Sequence, residues 1–327
     1  MNPLIDSYIQ YVASVRRYSP RTVKIYSDVL KEYSEYSLEQ SGGDEDIIAA
    51  LTPMFIRNYE VHLMDERRLD ARTANQHISV LSGFCRYLMK EGKLAANPVR
   101  LVTRPKVSKR LPEFYRDESM DDYFARTEHS ASADELEILK SFGPDARSDK
   151  AARAMYERRL RRMIVSLLHA TGMRRAELVS LNVGSVDMSR AVLKVVGKGD
   201  KPRTIPLIPS VIREISLYNE AVAFFLGDPR SPGSPLLLTV TGRRIYPVFV
   251  DRTIKEELAG VPGITGRKSP HVLRHTLATE LLNDGSDLNS IKELLGHSSL
   301  AATQVYTHNS VEKLKKVYEQ AHPRAKK

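Results

Sequence analysis

A chain of 327 residues, 42% of them hydrophobic, is long enough for two domains and can bury sizeable cores. Its 50 Lys+Arg against 40 Asp+Glu leave a net charge of +10, which points toward a polyanionic partner. The single Cys85 excludes an intrachain disulfide and a Cys-rich zinc site, no apolar run nears the roughly 18 residues of a membrane span, and the first residues lack a signal-peptide layout, so a cytoplasmic protein is expected.

The first hundred residues read as helices. "LIDSYIQYVASV" repeats apolar residues at three- and four-residue spacing. "SPRTVKIYSDVLKEY" opens with Ser19 as N-cap and Pro20 in the first turn, and Thr52-Pro53 starts a third helix the same way. A fourth, from about Ala71 to Lys90, places Ile78, Leu81, Phe84, Cys85 and Leu88 on one side, and Gly92 with Asn97-Pro98 closes the domain. The expectation is a helical bundle over residues 1–97.

Residues 97–110, "NPVRLVTRPKVSKR", hold five cations and no acid, and their prolines disfavour a continuous helix. An extended basic linker over 98–112 is expected, either a solvated hinge or a strap on phosphates through Arg100, Arg104, Lys106, Lys109 and Arg110. The remainder, 113–327, carries most of the charge excess, 35 Lys+Arg against 27 Asp+Glu over 107–327. Residues 126–152 are polar and poorly periodic, which predicts a long surface excursion with a short helix near 134–141. The "YERRLRRM" cations at 156–163 fit a solvated helix face or a phosphate contact equally. Helices are predicted at about 158–170, 174–181, 270–283, 287–295, 299–307 and 311–320, with Gly172, Asp284-Gly285 and Gly296 as stops. "AVLKVVGKGDKPRTIPL" breaks that pattern with a β-branched run, a turn and a second short strand, so a small antiparallel sheet is expected at 186–207. The fold class is mainly α: a helical bundle plus an α-rich second domain with a small antiparallel β-sheet.

Four motifs of this second domain carry chemistry: "ATGMRRAEL" with Arg174, "GKGDKPRTIPL" with Lys198, "SPHVLRHTLATELL" with His271 and Arg274, and "LLGHSSLAATQVYTH" with His297 and Tyr306. His271, Arg274 and His275 share one helix face that is polar where a core helix should be apolar. Together these are what phosphodiester transfer without a metal or other cofactor requires. Two arginines hold the non-bridging oxygens as negative charge develops. His297 suits a hydrogen-bond donor to them, and His271 suits taking the nucleophile's proton near neutral pH. Lys198 on a glycine-flanked turn can protonate a departing sugar oxygen. Tyr306 lies among small and polar side chains rather than a core, and a phenol among bases and cations can attack phosphorus. His271 and His275 have the spacing of a zinc helix, but without HExxH or a third ligand no metal is expected.

In order and spacing, these motifs resemble the tyrosine recombinase (phage integrase-like) family, and "SPHVLRHTLATELL", "LLGHSSL", "YTH" and "VYEQAHPRAKK" are similar to its Xer branch. "RYSPRTVKIYSDVL" resembles that family's N-terminal core-binding domain, which is SAM-like. The resemblance covers nearly the whole chain. It implies that the roles of Arg174, Lys198, His271, Arg274, His297 and Tyr306 carry over, with a 3′-phosphotyrosyl intermediate at Tyr306. It also implies duplex DNA as substrate, with Arg203 beside the linker cations as a DNA contact, a homotetramer or a heterotetramer with a second Xer-type recombinase, and a C-terminal helix "VEKLKKVYEQ" docking on a neighbour. Chromosome or plasmid dimer resolution at a dif-like site, activated by a septal DNA translocase, is the implied task. A transposon or phage integrase, a strand-relaxing topoisomerase, and a DNA-binding architectural protein without catalysis are the alternatives. The 126–152 stretch departs from the Xer pattern in length, and Arg175 and His308 have no role in this scheme.

Overall fold

The computed structural model describes residues 2–43, 46–107, 113–197 and 202–296. The chain divides into two compact units, Met1–Arg110 and Leu111–Lys327. The helices predicted at 299–307 and 311–320 lie outside the described residues.

The first unit contains α1 (Pro3–Ser14), α2 (Pro20–Gln40), α3 (Pro53–Val61) and α4 (Ala71–Lys90). Each starts on a polar cap: the side chains of Asn2, Ser19, Thr52 and Asp70 accept N–H groups of the first turn, and the first three are followed by proline. The core is rich in rings. Tyr33 and Tyr59 meet edge to face at 4.9 Å, and their buried hydroxyls are satisfied by Ala50 O at 2.8 Å and His77 Nδ1 at 3.0 Å.

The basic stretch differs from a free linker. Pro98–Leu101 forms a 3₁₀ turn, Val99 and Val102 enter the core, and Asn75 donates to Pro105 O at 2.9 Å. Arg104 donates to Ser79 Oγ at 3.1 Å. Two buried valines and these side-chain bonds hold residues 98–107 on the first unit.

In the second unit α5 (Asp117–Arg126) and α6 (Ala133–Ser141) precede α7 (Lys150–Thr171), the central helix. Residues 126–152 are not a surface excursion, since Leu136, Leu139, Ala146 and Ala152 are core residues and Ser130 and Glu135 are buried. They supply partners to α7, whose Arg159 and Arg162 are buried: Ser132 and Glu135 face Arg159, and Thr127 meets Arg162. Arg159 donates to Ser132 O at 2.7 Å; Arg162 donates to Phe124 O at 2.9 Å, to Thr127 Oγ1, and to Glu214 at 3.1 Å. On the outer side, Arg158 pairs with Glu135, and Arg161 with Glu157 and Glu256. All four arginines of "YERRLRRM" are therefore engaged within the fold.

After α8 (Arg175–Ser180), the strands β1 (Val186–Asp187), β2 (Val192–Val196) and β3 (Pro202–Pro206) form an antiparallel sheet in that order. Leu193 lies opposite Ile205 and Val195 opposite Arg203, all four buried. Arg203 has the parity of Ile205, so the two-residue period of the strand turns it inward. Then α9 (Pro209–Leu226), α10 (Pro247–Glu257) and α11 (Pro270–Asn283) pack on α7. Finally α12 (Leu288–Leu295) is capped by Asp287 and stops at Gly296. No described helix is long and apolar enough to cross a membrane.

Candidate active site

The site begins where α7 ends. Gly172 takes a left-handed conformation (φ +56°), and a Cβ there would meet Leu295 Cδ2 at 2.6 Å. The turn delivers Arg174 to the N-cap of α8, where its backbone N–H donates to Glu177 Oε2 at 2.8 Å and its Nη1 to Glu177 Oε1 at 3.0 Å. From α11, Ser269 and Pro270 start the helix so that Arg274 points inward, buried, while His271 and His275 stay exposed. Arg274 Nη1 donates to Gly172 O at 2.7 Å.

The end of α12 closes the arrangement. Its last carbonyls each accept from a different guanidinium: Leu294 O from Arg203 Nε at 3.0 Å, Leu295 O from Arg274 Nη2 at 2.6 Å, and Gly296 O from Arg174 Nη2 at 2.8 Å. These carbonyls have no partner inside the helix and sit at its negative end, so three cations are a fitting cap. Arg203 also forks onto Glu177, at 2.8 and 2.9 Å.

Among the described residues, Glu177 is the one carboxylate ion-paired in this cluster, to Arg174 and Arg203, while Arg274 donates to carbonyls, so three guanidiniums against one carboxylate leave two positive charges in excess. Burial pushes the Glu177 carboxyl up, but Arg203, the Arg174 N–H and the Arg174 side chain outweigh it and hold it below the usual range. Burial, then Arg174 and Arg203, bring Arg274 down to about 10, so it keeps its proton at pH 7. His271 is lowered by partial burial and then by His275, Arg274, Arg267 and Arg175. Its imidazole is accordingly neutral at pH 7 and able to accept a proton.

Over residues 146–313 the chain matches the phage integrase family, and over 5–92 it matches the phage integrase N-terminal SAM-like domain. The tyrosine recombinase XerC of Chlorobaculum parvum is 32% identical over 329 residues, which cover 98% of this chain and 94% of that relative. The chain belongs to the phage integrase family. It is a site-specific tyrosine recombinase, an enzyme that cuts and rejoins DNA. XerC of Bacillus subtilis is likewise 32% identical, over 98% of this chain and 96% of its own. Among solved structures, the XerH site-specific recombinase bound to palindromic difH substrate shares the fold with a TM-score of 0.62 at 17% identity, covering 96% of this chain and 84% of that one. A lambda integrase dimer bound to a COC′ core site gives 0.59 at 16% identity, covering 93% and 97%.

Of the residues singled out in the recombinase sequence, the fold brings Arg174 and Arg274 into one cluster, with His271 on the same helix as Arg274. Lys198, His297 and Tyr306 lie outside the described residues, as do Lys109 and Arg110. Arg100, Arg104 and Lys106 are exposed on the first unit. Arg203 differs from a surface phosphate contact: it is buried, and all three of its guanidinium nitrogens donate within the fold. Arg175 pairs with Asp251 of α10. Glu177, to which Arg174 and Arg203 both bind, escaped the sequence reading, although a Glu three residues after an N-cap is a helix-start pattern that marks it.

Proposed function

We propose that this recombinase cuts each strand with Tyr306, forming a 3′-phosphotyrosyl link and a free 5′-hydroxyl, and exchanges strands through a Holliday junction. Arg174 and Arg274 hold the non-bridging oxygens of the scissile phosphate. His271 takes the phenol's proton, His297 donates to the same oxygens, and Lys198 protonates the leaving 5′ oxygen. The phosphotyrosine link keeps the phosphodiester's energy, because a phenoxide leaves more readily than an alkoxide, and rejoining needs neither ATP nor metal.

The observation that carries this reading is the cluster's charge. Three guanidiniums face one carboxylate, and Arg274 remains cationic although buried. A phosphodiester brings one negative charge and gathers a second as it is attacked, so two uncompensated cations match the transition state better than the ground state. The chain passes directly from Gly296, held by Arg174, to His297, which supports His297 acting at the same phosphate.

The Xer-type task is resolution of chromosome or plasmid dimers at a dif-like site in the cytoplasm. The working assembly is a tetramer, alone or with a second recombinase, under a septal DNA translocase. Its support is the 32% identity to XerC proteins along almost the full chain. The test uses DNA recovered from the protein's own genomic binding sites and nicked so that a covalent complex is trapped. Wild type should give a DNA adduct that survives SDS, and Tyr306→Phe should bind the DNA without forming it. An adduct from Tyr306→Phe would reassign the nucleophile. Binding without any wild-type adduct would favour an architectural protein.

A further inference from the structure

Arg203 has no part in the chemistry above, yet its side chain makes three hydrogen bonds in the site, against two each from Arg174 and Arg274. We propose that it is a positioning residue for strand cleavage: it fixes the carboxylate that orients Arg174 and seats the helix end that leads to His297. The proposal rests on Arg174 as a phosphate-holding cation.

The hydrogen bonds of Glu177 are the first support. Each of its oxygens accepts two: Oε1 from Arg174 Nη1 and Arg203 Nη1, Oε2 from the Arg174 N–H and Arg203 Nη2. The planar fork of Arg203 thereby sets the plane of the carboxylate, and that plane sets Arg174 in both backbone and side chain.

The second support is the end of α12. Arg203 Nε donates to Leu294 O, and the backbone of Gly296 lies so close that a Cβ there would stand 3.1 Å from Arg203 Cδ and 3.2 Å from Cζ. Gly296 also has φ +66°, a conformation that favours glycine, and a methyl there would press on the Arg203 side chain by a few tenths of an ångström. One guanidinium therefore couples β3, the start of α8 and the end of α12. A lysine in its place has a single nitrogen and cannot grip both oxygens of Glu177 while reaching Leu294 O.

The third is burial. A guanidinium on the inner face of a strand is costly unless fully paired, and a phosphate contact needs no such placement. Residue 203 sits opposite Val195, facing the core, whereas a cation meant for DNA would stand on the other parity.

The experiment measures the full chain with Arg203→Lys, Arg203→Met, Glu177→Gln and the Arg203→Lys/Glu177→Gln double variant. The readouts are the DNA dissociation constant and the single-turnover rate of covalent capture at saturating protein. Positioning predicts a dissociation constant within about 3-fold of wild type for both Arg203 variants. Misplacing a reacting group by about an ångström costs about 100-fold, so capture should slow by about that factor for Arg203→Met and by about 10-fold for Arg203→Lys. The double variant should be no slower than its slower parent, because both changes break one Arg203–Glu177–Arg174 relay. Weakened binding with an unchanged saturated rate would make Arg203 a phosphate contact and overturn the proposal, as would multiplicative losses in the double variant. If Arg203→Met does not fold, Arg203→Lys, which keeps a cation against Glu177, decides. Absence of capture by wild type would overturn the reading of the reaction itself, whereas wild-type rates in the Arg203 variants would overturn only this role.

Discussion

Gly172→Ala tests how the fold and the arginine cluster depend on each other, and Gly227→Ala is its internal control. Both glycines end long helices, α7 and α9, in the left-handed conformation, with φ +56° and +67°. An alanine in that conformation costs about 1–2 kcal/mol at either site. At Gly227 nothing lies within 4 Å of the added methyl, so that is the whole cost. At Gly172 the methyl would stand 2.6 Å from Leu295 Cδ2 and 3.1 Å from Leu277 Cδ2. Overpacking of this kind adds about 1–3 kcal/mol, for a total of about 2–5 kcal/mol, which a domain of ordinary stability survives. The larger effect falls on catalysis. Leu295 Cδ2 must retreat by about 1 Å to restore normal contact, and because that side chain is buried the prediction is that the displacement reaches its backbone, whose carbonyl, like that of Gly172, holds Arg274. A shift of that size costs about 100-fold in rate. Urea denaturation followed by far-UV circular dichroism gives the stabilities, and covalent capture from a nicked site gives the rates. Equal destabilisation by the two substitutions, with capture unaffected by Gly172→Ala, would refute the close approach and its link to the site.

Three other outcomes are expected. Lys198→Ala should slow cleavage of ordinary DNA by about 10²- to 10⁴-fold, the usual worth of a general acid, but hardly at all when the 5′ leaving oxygen is replaced by sulfur; equal loss on both substrates would remove Lys198 from that role. Because burial and neighbouring cations depress His271, its neutral form dominates at pH 7 and is lost only as pH falls below the ordinary histidine value of 6.5. Capture from the sulfur substrate should therefore be near its maximum at pH 8 and fall to half only below pH 6.5, and a midpoint above 6.5 would contradict the depressed value. Arg162→Ala should destabilise by about 3–5 kcal/mol, since it removes the cation opposite buried Glu214, while half-exposed Arg158→Ala costs under about 1 kcal/mol; weaker DNA binding by Arg162→Ala at unchanged stability would make α7 a phosphate contact instead.

Local chemistry made some elements readable. The bounds of α4 and α11 follow from the capping Asp70 and Ser269-Pro270 at their starts, and these caps act within three residues of themselves. By contrast α7 begins at Lys150, well before the predicted 158, because "KAARAMYE" reads as polar and Asp149, which caps it through the N–H groups of Ala151 and Ala152, is one acid among several. Its buried arginines defeat hydrophobic periodicity for a different reason. Their partners, Ser132, Phe124 and Glu214, come from distant positions, and no local pattern announces them. For the same reason the stretch 126–152 reads as surface although it supplies the groups that make a charged central helix tolerable. Residues 98–107 mislead through their cations and prolines, while the two valines that anchor them are inconspicuous.

The candidate site divides along the same line. That Arg174 and Arg274 come together was legible because their chemistry is specific and their motifs contiguous. Glu177 and Arg203 form one unit with them, but across 26 residues and a strand, so only the parity of β3 and the position of Glu177 in the first turn of α8 gave any sign. What joins the two pairs is a helix end. The last carbonyls of α12 offer partial negative charge to three guanidiniums, enough to gather cations that would otherwise repel, without cancelling the charge a phosphate needs. A second carboxylate in place of those carbonyls would hold the arginines as firmly and leave a single excess cation, matched to the ground state of a phosphodiester rather than to the dianion it becomes.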